Sequence, residues 1–195
     1  MKTPPPLPQK KSTGPRTKVK VLVGLLLLVG VASVLLVASG GLRLFNTESD
    51  SMAPVLDKGD HFLLTRFVRE YHRGDVVGFS APRLGDPSTS EQYVKRIVGL
   101  PGETLRIEDG ALVVNGIRTP LRNHAGEIAY LPMFTGNFLT KPGDSVVVPA
   151  GCYFLMGDNS ARSYDSRFYG CISADKVFGR AFWCFALPPR GGAIH

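Results

Sequence analysis

The apolar residues of this chain change rhythm near residue 42. Residues 21–42 read VLVGLLLLVGVASVLLVASGGL, without one charged side chain. A helix of that length reaches across the hydrocarbon core of a bilayer. Beyond it the apolar runs are short and broken by Gly, Pro, Asn and Asp. Residues 61–68, 75–79, 93–98, 104–108, 111–114, 145–148, 152–156 and 177–183 read as strands. Asp109-Gly110 and Asn115-Gly116 fall between runs as two-residue hairpin turns. Helical periodicity is weak outside the first run. The pattern predicts a mostly β domain over 44–190, preceded by one N-terminal transmembrane helix. It predicts a loop at 82–90. Residues 118–143, with Pro120, Gly126, Pro132, Gly136 and Pro142, predict either a small excursion from the main sheet or a mobile flap. No internal repeat is visible.

The length of 195 residues suffices for one domain with a real core plus an anchor. The net charge of +7 matters less once it is located. Lys2, Lys10, Lys11, Arg16, Lys18 and Lys20 hold six of those charges, and residues 1–20 contain no acid. The rest of the chain has 17 basic and 16 acidic side chains, which argues against a groove for nucleic acid. Basic residues before the apolar run place residues 1–20 in the cytoplasm by the positive-inside rule. Residues 1–20, with Pro4, Pro5, Pro6 and Pro8, then form a disordered tail, 21–42 a membrane anchor, and 44–190 an extracytoplasmic domain. The competing reading is a cleaved signal peptide ending near Val37-Ala38-Ser39. Signal-peptide cores are shorter, roughly 7–15 residues, so the retained anchor is preferred. Cys152, Cys171 and Cys184 all follow the anchor, where disulfides are permitted. A Cys152–Cys171 bridge would pin residues 157–167, whereas Cys184 reads as a buried free thiol. Neither a CxxC pair nor a His-rich spacing suggests a metal.

The candidate chemistry begins at Ser51, in Ser49-Asp50-Ser51-Met52-Ala53-Pro54. A serine hydroxyl needs a base beside it to act as a nucleophile. His61, His72, His124 and His195 are poor candidates, and no GxSxG elbow accompanies them. A lysine serves as base when burial lowers its pKa toward neutrality. In a strand over 93–98, Lys95 shares a face with Tyr93 and Ile97, and Arg96 takes the other. The pattern does not say which of the two is buried, and taken alone both read as solvated edge charges. Arginine is never deprotonated, so only Lys95 is eligible as a base. A third segment runs Gly157-Asp158-Asn159-Ser160-Ala161-Arg162-Ser163-Tyr164-Asp165-Ser166-Arg167. If it is extended, Ser163, Asp165 and Arg167 face one side. Asp165 then pairs with Arg167, and Ser163 reaches toward a neutral lysine. The alternative is an ordinary polar loop.

Together these segments resemble the type I signal peptidase family. Ser51-Met52-Ala53-Pro54 is similar to its nucleophile motif, and Gly74-Asp75-Val76-Val77-Gly78-Phe79 to its structural strand. Residues 93–103 are similar to its lysine motif, and 157–170 to its Gly-Asp-Asn…Ser-x-Asp-Ser-Arg motif. The resemblance spans nearly all of the chain beyond the tail. It implies a signal-peptidase-like β domain, with Ser51 as nucleophile and Lys95 as general base. It implies an oxyanion site from Ser49 and the Ser51 N–H, Ser163 orienting the lysine, and Asp165 and Arg167 as structural supports. No metal or cofactor is implied. The implied partners are secretory preproteins, cut after small residues at the first and third positions before the bond, and the lipid bilayer. The chain departs from the family pattern at Val55, where threonine is common, and at Gly78, in a usually more valine-rich strand. Ser160 replaces a frequent arginine. The segment between the last two motifs is short, so the larger second domain of some relatives is missing. A maturation protease for one dedicated substrate, such as a pilin precursor, would share these motifs. A non-enzymatic tethered peptide-binding domain would leave the joint presence of Ser51 and Lys95 unexplained.

Overall fold

The computed structural model describes residues 15–83, 86–131, 135–186 and 191–194. The first fourteen residues of the expected tail, and Pro132 and His195, lie outside them. The chain divides into two compact units, Met1–Gly40 and Gly41–His195.

The first unit contains helix α1 (Pro15–Ala38), 24 residues long, hence about 36 Å. Its window Lys18–Leu35 is long and apolar enough to cross a membrane, and none of it is buried. The helix stops before the apolar run does. Ser39 N–H still donates to Leu35 O at 2.9 Å, but Gly40 turns left-handed at φ 67°, a backbone state that ends helices.

The second unit is built of short antiparallel strands. β1 (Leu42–Asn46), β2 (His61–Thr65), β3 (Val76–Arg83) and β4 (Asp86–Gly99) come first. β5 (Thr104–Glu108), β6 (Ala111–Val114) and β7 (Ile117–Arg118) follow. β8 (Arg122–Asn123) and β9 (Gly126–Glu127) form a small hairpin. The chain continues through β10 (Ser145–Val147), β11 (Cys152–Met156), the one-turn helix α2 (Ser166–Tyr169) and β12 (Ile172–Ser173). It closes with β13 (Val177–Cys184) and β14 (Gly192–Ala193). The large sheet is ordered β1-β2-β13-β3-β4-β11-β12, with β14 added on β13. The small sheet is ordered β10-β5-β6-β7.

Alternation puts one face of β2, β5 and most of β13 into the interior, while β6 is buried throughout. Val98, Phe154 and Met156 of the large sheet pack with Leu105, Leu112 and Val114 of the small one. Burying each such large side chain contributes roughly 1.5–3 kcal/mol. Met52 and Leu56 pack with Phe62, Leu64 and Val76 in a second cluster, which seats the segment carrying Ser51. Val77, Phe79, Ile97 and Leu155 make a third. Gly78, the interruption noted in the sequence, pairs with Gly179 of β13. A Cβ at Gly78 would lie 2.6 Å from Leu64 Cδ1, so the missing side chain makes room for that core leucine.

Most expected strands form, with shifted ends. The two hairpin turns are as read: Asp109 and Asn115 have φ 49° and 51°, each followed by a left-handed glycine. The loop expected at 82–90 is instead mostly the tip of the β3–β4 hairpin. Pro82 pairs with Ser90 and Arg83 with Asp86. Polar, proline-containing sequence reads as loop, but ladder bonds to an established neighbour extend the strands through it. β1 has no counterpart among the expected strands; the anchor's apolar run overlaps its start. The described residues of the 118–143 stretch, 118–131 and 135–143, lie off the main sheet. Ile128, Tyr130 and Leu139 of this stretch are buried in the first cluster.

Candidate active site

Ser51 sits in a compact loop after β1. Ala53 N–H donates to Asp50 O at 3.1 Å and Leu56 N–H to Met52 O at 3.1 Å. With Met52 and Leu56 sunk in the core, the loop has little freedom and Ser51 itself is 5% exposed. Lys95 comes from the middle of β4. Of the two adjacent basic residues, it is the one facing Ser51. Lys95 Nζ donates to Ser51 Oγ at 2.7 Å and to Val94 O at 3.0 Å. It also lies 5.9 Å from the centre of the Tyr93 ring. Lys95 is 3% exposed, and burial pulls its ammonium down from 10.5 to about 8. Asp165 opposes that fall and Arg167 adds to it. Ser49 Oγ donates to Ser51 Oγ at 3.1 Å, so a second hydroxyl adjoins the first.

The loop after β11 packs behind this pair. It is not extended, so strict alternation does not apply to it. Asp165 is the N-cap of α2, its carboxylate accepting from Arg167 N–H at 3.1 Å. Asp165 and Arg167 are both fully buried. Their pair is bidentate, with Nε to Oδ1 at 2.9 Å and Nη2 to Oδ2 at 2.8 Å. Asp165 also accepts from Gly157 N–H at 3.1 Å. The Arg167 guanidinium donates further to Leu131 O and to Ser160. Every end of this ion pair is therefore bonded, as a buried pair requires. Ser160 uses its small side chain here: Oγ accepts from both Arg167 and Leu131 N–H at 2.8 Å. Ser163 is buried nearby, but its Oγ has no hydrogen-bond partner among the described residues. The Ser163–Lys95 bond that the resemblance implies is not formed.

Several groups that hold the site were not singled out from the sequence. Arg96, on the opposite face of β4 from Lys95, makes a second buried bidentate pair with Asp158, both bonds at 2.8 Å. Arg96 donates also to Gly74 O at 2.6 Å, and Asn123 Nδ2 donates to Asp158 Oδ2 at 3.1 Å. The small β8–β9 hairpin thereby braces the loop. Asn159 N–H donates to Ser51 O at 3.1 Å and its side chain to Asp50 O at 3.1 Å. Gly157 lies against the same carbonyl: a Cβ there would be 2.3 Å from Ser51 O and 2.4 Å from Ser163 Oγ. The adjacency of Lys95 and Arg96 was a visible signal for the second pair, but the sequence offered no way to match Arg96 with Asp158. Cys152, Cys171 and Cys184 are free thiols, so no bridge pins the loop, and Cys184 is buried.

A cleft of about 530 Å³ opens over the pair, lined by Phe45, Thr47, Ser49, Tyr93 and Tyr164 among others. One of its walls carries unused backbone. β11 ladders only with Arg96–Gly99, whereas β3 covers β4 along its length. The Glu91–Lys95 stretch is thus laddered on one side only among the described residues.

The β domain thus places a buried lysine amine against a serine hydroxyl beneath a cleft. The chain belongs to the signal peptidase family, peptidase S26, whose family model matches residues 18–186. It is 35% identical over 162 residues to signal peptidase I V of Bacillus subtilis (strain 168), covering 78% of this chain and 92% of that one. It is 32% identical over 161 residues to signal peptidase I of Leptolyngbya laminosa, covering 73% and 72%. The protein is a hydrolase of this family, a signal-peptide-removing peptidase.

Proposed function

We propose that the protein is a membrane-bound endopeptidase that removes signal peptides with Ser51 as nucleophile and Lys95 as general base. The observation that carries this reading is the 2.7 Å contact between Lys95 Nζ and Ser51 Oγ in a buried site. A lysine brought down to about 8 has a sizeable neutral fraction near neutral pH, and a neutral amine accepts a proton. Lys95 takes the Ser51 proton as Oγ attacks the scissile carbonyl. The Ser49 hydroxyl and the Ser51 N–H donate to the oxyanion; losing one such donor typically costs about 10²–10³ in rate. The protonated lysine then gives its proton to the leaving amine, releasing the mature chain. Neutral again, it deprotonates the water that hydrolyses the acyl-enzyme.

Ser163 stays in this reading as the hydroxyl that turns to Lys95 during the cycle; its buried Oγ has no competing bond among the described residues. Asp165 and Arg167 act as supports. The substrate binds extended along the open Glu91–Lys95 edge of β4, adding a strand by main-chain hydrogen bonds. Phe45, Phe62, Val94 and Phe178 line a smaller recess of about 50 Å³ beside it, which suits a small side chain. The helix α1 anchors the enzyme with its basic N-terminus in the cytoplasm and the β domain across the membrane. Tethering raises the effective concentration of enzyme where preproteins emerge.

The test is cleavage of several secretory preproteins by the detergent-solubilised full chain, beside Ser51→Ala and Lys95→Ala. Cleavage by the wild type alone, after small-x-small sequences, is expected. Intact preproteins would favour a dedicated substrate. Full activity in either variant would remove the Ser–Lys assignment.

A further inference from the structure

A second cavity of about 530 Å³ lies apart from the catalytic cleft, and the mechanism makes no use of it. The two share strand β4 as a wall. Because successive side chains leave a strand on opposite faces, Lys95 faces the cleft and Arg96 lines the second cavity. Four arginines line it: Arg73, Arg96, Arg122 and Arg180. Asp75 is the one carboxylate among the lining residues.

The four arginines are not equally engaged. Arg96 is held by Asp158 and Gly74 O. Arg73 is held by Glu103 and Val98 O. Arg180 reaches Asp75 only at 3.4 Å. Asp75 is shared, since it also accepts from His72 N–H at 2.9 Å. Arg122 stands on the β8–β9 hairpin, and its side chain makes no ion pair among the described residues. Gathering like charges is unfavourable unless something offsets them. Asp158, Glu103 and Asp75 offset three of these four guanidiniums, so the surplus positive charge at this cavity is that of Arg122. No lysine lines it. A guanidinium presents a flat fork of donors that matches two oxygens of one oxyanion, which an ammonium does not. The lining also includes the apolar residues Val76, Ala181, Phe182 and Ile194.

We infer that this cavity is a binding site for a phosphate ester, with Arg122 and Arg180 gripping the phosphate and these apolar residues receiving its organic part. The same chemistry is offered by a phospholipid head group and by a soluble phosphate. Occupancy would be felt across β4. Arg96 holds Asp158, and the next residue, Asn159, holds the Ser51 carbonyl.

The test uses the full chain in dodecyl maltoside, titrated with inorganic phosphate against chloride at constant ionic strength. A ligand at ten times its Kd should raise Tm by roughly 3–5 °C for a domain of this size. Arg122→Gln with Arg180→Gln should lose the shift while cleaving preprotein at the wild-type rate. Arg122→Gln alone, whose side chain makes no ion pair among the described residues, covers the case in which the double variant does not fold. A second arm compares Tm in phosphatidylcholine nanodiscs with and without phosphatidylglycerol. A shift with phosphatidylglycerol alone that the variants lose makes the ligand a lipid head group. A shift with phosphate alone that the variants lose makes it a soluble ester. No shift in either arm, or a shift that survives in the variants, overturns the inference.

Discussion

Replacing Lys95 with methionine should abolish cleavage and, at neutral pH, leave a protein at least as stable as the wild type. The two side chains have similar length, and Met fills an irregular buried space well. The wild-type amine is 3% exposed, and its ionisation falls from 10.5 to about 8. That fall corresponds to about 3 kcal/mol of disfavour for the buried ammonium. Methionine removes it but forfeits the bonds to Ser51 Oγ and Val94 O, together about 2 kcal/mol. The net gain at pH 7 is therefore about 1 kcal/mol. The pH dependence is sharper than this remainder. Below about pH 8 folded and unfolded wild type both carry the proton, so the full disfavour is present. Between about 8 and 10.5 the folded lysine is neutral while the unfolded one is still charged. The unfolded state then binds more protons, so wild-type stability rises with pH. Lys95→Met has no such rise. The assay is urea unfolding of both full-length proteins in dodecyl maltoside from pH 6 to pH 11. The stability difference should move by about 3 kcal/mol in favour of wild type across that window. Parallel curves would refute both the buried ammonium and its role as a base with lowered pKa.

Further predictions rest on other contacts. The rate should follow the same ionisation: kcat/KM rises about tenfold per pH unit on the acid side and levels above about pH 8; a flat profile from pH 6 to 9 would contradict it. Gly157→Ala places a methyl 2.3 Å from Ser51 O. The nucleophile must shift by about 1 Å, enough to lower kcat about 100-fold, read by single-turnover cleavage with KM little changed. Asp158→Ala removes the carboxylate that holds the buried Arg96 guanidinium by two bonds, which should cost about 3–5 kcal/mol in a urea melt. Replacing both partners by apolar residues of similar size should cost less.

Much of the protein was legible in one dimension. The uncharged run of residues 21–42 announced a helix because spanning helices must be apolar throughout. Asp109-Gly110 and Asn115-Gly116 announced hairpins because left-handed turn positions admit few residue types. Lys95 could be put forward as the candidate base because only a lysine, of the two neighbouring basic residues, can be deprotonated. Each of these rests on a constraint local to a few residues. The tertiary structure decided what depends on distant partners. Burial of Lys95 rather than its solvation, and the pKa that follows, comes from the packing of β4 beneath the Ser51 loop. The Arg96–Asp158 pair joins residues 62 apart, and no periodicity encodes such a match. The sequence left the loop at 157–167 open between an extended stretch and an ordinary polar loop. It folds around the cap of Asp165, because a buried carboxylate must be satisfied by whichever donors lie near. Ser163 shows the same division. Its identity came from the motif, but whether its hydroxyl reaches the lysine depends on where the folded loop leaves it, and there it stands buried, without a hydrogen-bond partner among the described residues.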